Sequence, residues 1–278
     1  MTRTTPLRAA VVAACACAWL ASAAAAVPPP VAAGTPSPRL EFVAVRDADL
    51  QRFGKFPFDR KVLAGVVHQL RLAGAQAVVL KVFLDQPTAS DEALAAEIRQ
   101  MPTWLQSALV RVHTRPEDQL LEGDENAPVP VLRTAAAGTG MANARLVDTQ
   151  DRIELGAFVG DRPVRSLVRA TAELATGQSA TLVGRSLALG HETWPLDEQG
   201  RAQCAYGQLP VVEPMSFGAA LDGDAAALRR FKGKVVVVGY LASDSPTVTT
   251  AAGERVPAHR VFMQQAECLS RAGQAPKK

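Results

Sequence analysis

The chain is poor in the residues most often recruited for chemistry. Its four histidines, His68, His113, His191 and His259, are spread over 278 residues, and none has a Cys, His or carboxylate at metal-ligand spacing. That excludes the compact zinc motifs, whose ligands come in closely spaced pairs, and neither a metal nor a cofactor is expected. No G-x-S-x-G elbow is present, and Ser216 in "PMSFGA" and Ser243 in "LASDS" have no base beside them. Gly138–Ala144, "GTGMANA", imitates a dinucleotide-binding spacing, but the polar stretch "NARLVDTQDR" follows where that motif needs a helix. The expectation is a protein that is not an enzyme.

An excess of one charge is missing too. Outside residues 1–26, which hold Arg3 and Arg8 and no acid, 28 basic side chains face 27 acidic ones. There is no basic stripe and no ladder of aromatics, which make up only 5% of the chain. Nucleic acid is therefore excluded as a partner. Hydrophobic residues at 48% and charged residues at 21% are ordinary for a folded protein.

What is present begins at the N-terminus. Arg3 and Arg8 precede Ala9–Val27, nineteen residues without a charge, with small residues at Ala21–Ala23 and Ala24–Ala26. A basic start, an apolar middle and a small-residue site make up a secretory signal, assigned here to residues 1–26. The alternative is an uncleaved anchor, since the run just reaches spanning length, and only then would the protein touch the membrane. Either way the domain is exported, to the periplasm or beyond. Residues 27–38, "VPPPVAAGTPSP", form a Pro-rich spacer, and residues 274–278 a polar tail. Of the four cysteines, Cys15 and Cys17 belong to the signal. Cys204 and Cys268 remain, either as one disulfide in an oxidising compartment or as two unrelated buried thiols.

The folded region, 39–273, alternates helical and strand patterns. Asp59 is an N-cap for a helix with Val62, Leu63, Val66, Val67, Leu70 and Ala73 on one face, and Gly74 closes it. Ala77–Leu84 is a buried strand, Ser90–Met101 a second helix and Ser107–His113 a second strand. Thr114–Pro130 is expected to be a surface excursion, with "PVLRTA" returning to the sheet. Pro163–Thr176 reads as a helix ended by Gly177, and Asp197–Gly200 as a turn between short strands. Gly233–Tyr240 is a buried strand and Val256–Ala272 the closing helix. This grammar predicts a single three-layer α/β/α domain with a mostly parallel sheet.

Several stretches together resemble the CHASE-two (CHASE2) domain family. They are "FPFDR", a helix, "GA", a buried strand, a Pro turn and "DEALAAEI", then "PLDEQGRAQCAYG", "PMSF", "FKGKVVVVG" and "VPAHRVFMQQAECL". The resemblance implies an extracellular sensory module of the kind joined to cyclases and histidine kinases. The chain departs from the family's pattern at Lys81, where an acid is usual, and at Phe262 and Gln264, where His and Asn are usual. Family members commonly continue into transmembrane helices and an output domain. With this sequence ending at Lys278, the expectation is a stand-alone sensor or ligand-binding module, its partner an unknown small ligand or a membrane sensor protein in trans. The alternative is an interaction module that docks on an envelope protein without a ligand.

Two places stand out as candidate ligand contacts. Lys81 is a lone cation inside the apolar "AVVLKVFL", where an unpaired charge is expensive. It can reach the sheet edge, pair with Asp85, or meet an anionic ligand. The loop "YLASDSPT" leaves the C-terminal end of a strand, where open α/β sheets bind ligands, and offers Tyr240, Ser243 and Asp244.

Overall fold

A computed structural model describes residues 39–117, 119–142, 151–190, 192–250 and 253–271. The signal segment, the spacer and the polar tail assigned from sequence lie outside the described residues.

The chain opens with β1 (Leu40–Val45), α1 (Asp47–Phe53), α2 (Arg60–Leu72), β2 (Ala77–Leu80), α3 (Asp91–Ile98) and β3 (Thr103–Thr114). It continues with β4 (Leu121–Asn126), α4 (Pro130–Ala135), β5 (Gly138–Met141), β6 (Arg152–Ile153), β7 (Gly156–Val159), β8 (Arg162–Arg165) and α5 (Leu167–Thr176). Then follow β9 (Thr181–Val183), β10 (Ser186–Leu189), β11 (Glu192–Pro195), β12 (Ala202–Gln203), β13 (Met215–Ser216), α6 (Phe217–Asp222) and α7 (Ala225–Leu228). The last elements are β14 (Val235–Tyr240), β15 (Thr247–Thr249), β16 (Arg255–Pro257) and α8 (Ala258–Arg271).

Nine strands form the main sheet in the order β13-β1-β14-β2-β3-β4-β7-β8, with β5 also pairing β3. From β13 to β3 the pairs are parallel, as are β5 with β3 and β7 with β4, while β4 runs antiparallel to β3 and β8 to β7. The small sheets β9-β10-β11, β6-β12 and β15-β16 are antiparallel. Among the described residues the pairings thus divide evenly between the two kinds. The fold is mixed α/β, which corrects the expectation of a mostly parallel sheet.

The pleat sorts the core. Leu40, Phe42, Ala44, Ala77, Val79, Val235 and Val237 pack in one cluster with Val261, Phe262, Ala266 and Leu269 of α8. Val43, Val45, Val78, Leu80, Val236 and Val238 pack in another with Leu63, Val67 and Leu70 of α2. Successive strand residues point to opposite faces, so a run such as "VVVV" must be apolar throughout when both faces are covered. Each fully buried Val or Leu here contributes roughly 1.5–3 kcal/mol.

Local signals act as their chemistry predicts. Asp59 Oδ1 accepts from the Lys61 N–H at 2.8 Å and caps α2, and Gly74 beyond its end has φ 77°. Ser166 Oγ caps α5, and Gly177 closes it in the left-handed region.

Four expectations are corrected. The first buried strand ends at Leu80, because the Lys81 N–H makes its last ladder bond, to Val238 O at 2.9 Å, and the chain then leaves the sheet. The excursion after Thr114 contains β4, whose acids meet arginines of β3 and β8: Asp124 meets Arg111, and Glu125 meets Arg162 at 2.5 Å. "PVLRTA" is the helix α4, with Pro130 at its first position, where its missing N–H costs nothing. The stretch Arg162–Arg165, assigned in part to the α5 helix, is instead strand β8.

Cys204 and Cys268 are joined, with Cα atoms 6.3 Å apart. The bridge ties the segment after β12 to the last turn of α8. Of the two sequence readings, the disulfide is the one the structure contains.

Candidate functional site

The C-terminal ends of β2 and β14 meet the N-terminus of α8 around a cavity of about 310 Å³. Lys81, Val82 and Phe83 follow β2; Tyr240 ends β14; Ala258 and His259 open α8. Phe56 and Pro57 come from the loop before α2, Gln106 from β3, Ala142 from the end of β5 and Pro246 from the loop after β14. Phe83 is 44% exposed and leaves that side open to solvent. Clefts beyond the carboxyl ends of parallel strands are where open α/β sheets bind ligands.

Register explains the convergence. β14 lies between β1 and β2, with Val238 opposite Leu80 and Tyr240 opposite Val45. Lys81 therefore stands beside Gly239, although the sequence separates them widely. A Cβ at Gly239 would lie 2.4 Å from His259 Nδ1 and 3.1 Å from Phe42 Cε2, so only glycine lets the imidazole approach the strand.

Lys81 is 8% exposed. Burial lowers its pKa to about 7. Its Nζ lies over the Phe262 ring at 5.3 Å, and among the described residues its amine has no hydrogen bond or ion pair. Lys81 and Phe262, two of the departures noted in the sequence, thus touch each other. A largely buried amine with only a ring face for company is a costly arrangement.

His259 is the residue that sequence reasoning passed over. The Tyr240 N–H donates to His259 Nδ1 at 3.0 Å, which assigns the neutral ring's proton to Nε2. Burial, and then the nearby charge of Lys81, push its pKa well below the usual histidine value. The ring is a neutral donor next to an amine that titrates near neutrality. No local signal could have marked it, because its role depends on β14 reaching α8.

The remaining predicted residues divide. Tyr240 lines the cavity, stacks on Phe56 with centroids 4.9 Å apart and 18° between planes, and donates its hydroxyl to Asp244. Burial, reinforced by Asp244, pushes the Tyr240 phenol up to about 12, so it stays protonated. Asp244 and Ser243 are exposed and outside the lining. Ser243 donates through its N–H and its hydroxyl to Asp47 Oδ1, at 3.0 and 2.8 Å, fastening the loop to α1. Asp85 does not pair with Lys81; it accepts from Asn126 Nδ2 at 2.8 Å. The structure therefore brings Lys81 and Tyr240 together, adds Phe56, Gln106 and His259, and places Asp85, Ser243 and Asp244 in supporting contacts.

Among the described residues no group of three or more His, Cys, Asp or Glu could hold a metal ion, and no helix is long and apolar enough to cross a membrane. The family model of the CHASE2 domain matches residues 19–272, nearly the whole chain. The chain belongs to the CHASE2 domain family. CHASE2 domains are extracellular sensory domains, which sets the chain's broad role. Searches of curated proteins and of solved structures found no match. What a CHASE2 domain of this sequence senses must be argued from its own cavity.

Proposed function

We propose that this CHASE2 domain binds a small molecule, without turning it over, in the cavity between β2, β14 and the start of α8. The observation that carries this reading is the buried Lys81 amine, partnered only by a ring face and presented to a cavity of about 310 Å³. Natural cores keep such a group where a ligand completes it, because otherwise its desolvation is uncompensated. The ring pair of Phe56 and Tyr240 and the apolar Val82 and Phe83 supply the contact area. The two core clusters on alternate strand faces support reading the domain, 39–273, as helices on both faces of the sheet. The N-terminal pattern supports export to the periplasm, with residues 1–26 removed.

Native mass spectrometry on protein recovered from the periplasm tests the reading. The expected result is added small-molecule mass that is lost on denaturation and absent from a Lys81→Met variant. A bare chain held in a stable complex with another envelope protein would replace this reading with a docking module. The same spectrum gives the mature N-terminus, expected near Val27.

A further inference from the structure

We infer that the cavity's ligand is a small organic monocarboxylate with a flat apolar body, its carboxylate on Lys81 and its body against the Phe56–Tyr240 ring pair. The inference deepens the ligand-binding reading above and rests on it.

The sign of the ligand's charge follows from what the cavity offers. Among the described residues no acidic side chain lines it. The Tyr240 hydroxyl is given to Asp244, and one of the two Gln106 amide N–H groups to Ala142 O at 2.8 Å. His259 Nδ1 is taken by the Tyr240 N–H, which leaves the ring's Nε2–H as a donor. Lys81 is a second donor, and a cation once protonated. Ala258 and His259 are the first residues of α8, fourteen residues long, so its positive dipole end faces the same space. The helix end alone would signify little; with a nine-tenths-buried amine beside it, the two positive features converge.

The number of charges follows from the number of cations. Among the described residues Lys81 is the one basic side chain in the lining apart from the neutral His259. A single carboxylate matches it, whereas a phosphate dianion would carry an unpaired charge into apolar surroundings. Size and shape follow from the walls. About 310 Å³ lies at the small end of ligand cavities. Phe56 and Tyr240 both line the cavity and stack on each other 18° from parallel, so the pair offers the ligand an outer ring face, suited to an aromatic or similarly planar body.

Isothermal titration calorimetry with benzoate, phenylacetate and indole-3-acetate, each against its neutral amide, tests the inference, with inorganic phosphate as a further probe. In the wild-type domain at least one carboxylate is expected to bind tenfold or more tighter than its amide and tighter than phosphate. Lys81→Met should erase that preference yet keep the amide's affinity, and Phe56→Ala should weaken acid and amide together. Circular dichroism of both variants checks that they fold. An amide that equals or beats its acid in the wild type would overturn the carboxylate and leave the cavity a binding site. A preference that survives in Lys81→Met would also overturn it, placing the anion elsewhere. Tighter phosphate binding would overturn the monoanion. If no probe binds and the native spectrum carries no added mass, both readings fall.

Discussion

At the N-terminal end of the parallel strands, Glu41 is 7% exposed and accepts from Arg230 Nε at 2.9 Å and from Lys234 Nζ at 2.7 Å. At the C-terminal end of β2, on the other side of β14, Lys81 is about as buried, and among the described residues it faces only the Phe262 ring. Both charges have been taken out of water, at similar cost. Glu41 recovers that cost from two cations of its own chain, with its carboxylate oxygens divided between them. Lys81 recovers little, and its depressed pKa is the record of the deficit. The contrast separates a charge that closes the fold from one held open for something outside it.

The largest effect expected acts on the frame that both ends share. Replacing Cys204 and Cys268 by serine opens a loop of 64 residues, which in the chain-entropy account lowers stability by about 4 kcal/mol. Urea unfolding with and without reductant would measure it. Affinity for any cavity ligand should change less than twofold while the domain stays folded, since the bridge lies at the far end of α8 from His259.

Glu41→Gln comes next. It leaves Arg230 and Lys234 facing each other without their shared anion, at a cost of about 3 kcal/mol, softened because both cations reach solvent. Unfolding midpoints should fall while ligand affinity holds. A comparable loss of affinity would mean that the two ends are not independent.

Lys81→Met should have the opposite signature. Removing a lone buried ammonium stabilises the unliganded domain by about 2 kcal/mol at pH 6, yet ligand binding is lost. A destabilised variant would mean that Lys81 has a structural partner, and the contrast with Glu41 would collapse.

The smallest effect is a slope. Lys81 titrates near 7 in the folded domain and at 10.5 as a free side chain. Below pH 7 both states are protonated and the burial penalty is complete. Between pH 7 and 10.5 the unfolded chain holds the extra proton, so stability rises with pH through this group. The advantage of Lys81→Met over wild type should therefore shrink across that window. Paired denaturation curves at pH 6, 8 and 10 would follow it; a constant difference would mean that Lys81 keeps its charge.

Much of the frame was legible from local chemistry. Asp59 and Ser166 cap their helices, Gly74 and Gly177 take the positive φ that ends a helix, and the apolar "KVVVVG" makes the strand β14. β4 was not legible. "LEGDEN" has no apolar alternation, and its acids are accommodated by Arg111 of β3 and Arg162 of β8. α4 was missed because six residues carry too little periodicity to tell helix from strand.

The sequence by itself determined where helices start and stop, which runs are buried on both faces, and that Lys81 is an anomalous cation in one of them. These follow from interactions among residues a few positions apart. Only the tertiary structure decided that β14 enters between β1 and β2, which puts Tyr240 and His259 beside Lys81 and leaves Asp85 with Asn126. It also decided that Cys204 meets Cys268. Strand order and helix docking depend on contacts between distant segments, and a site built at the ends of several strands exists only once those contacts are made.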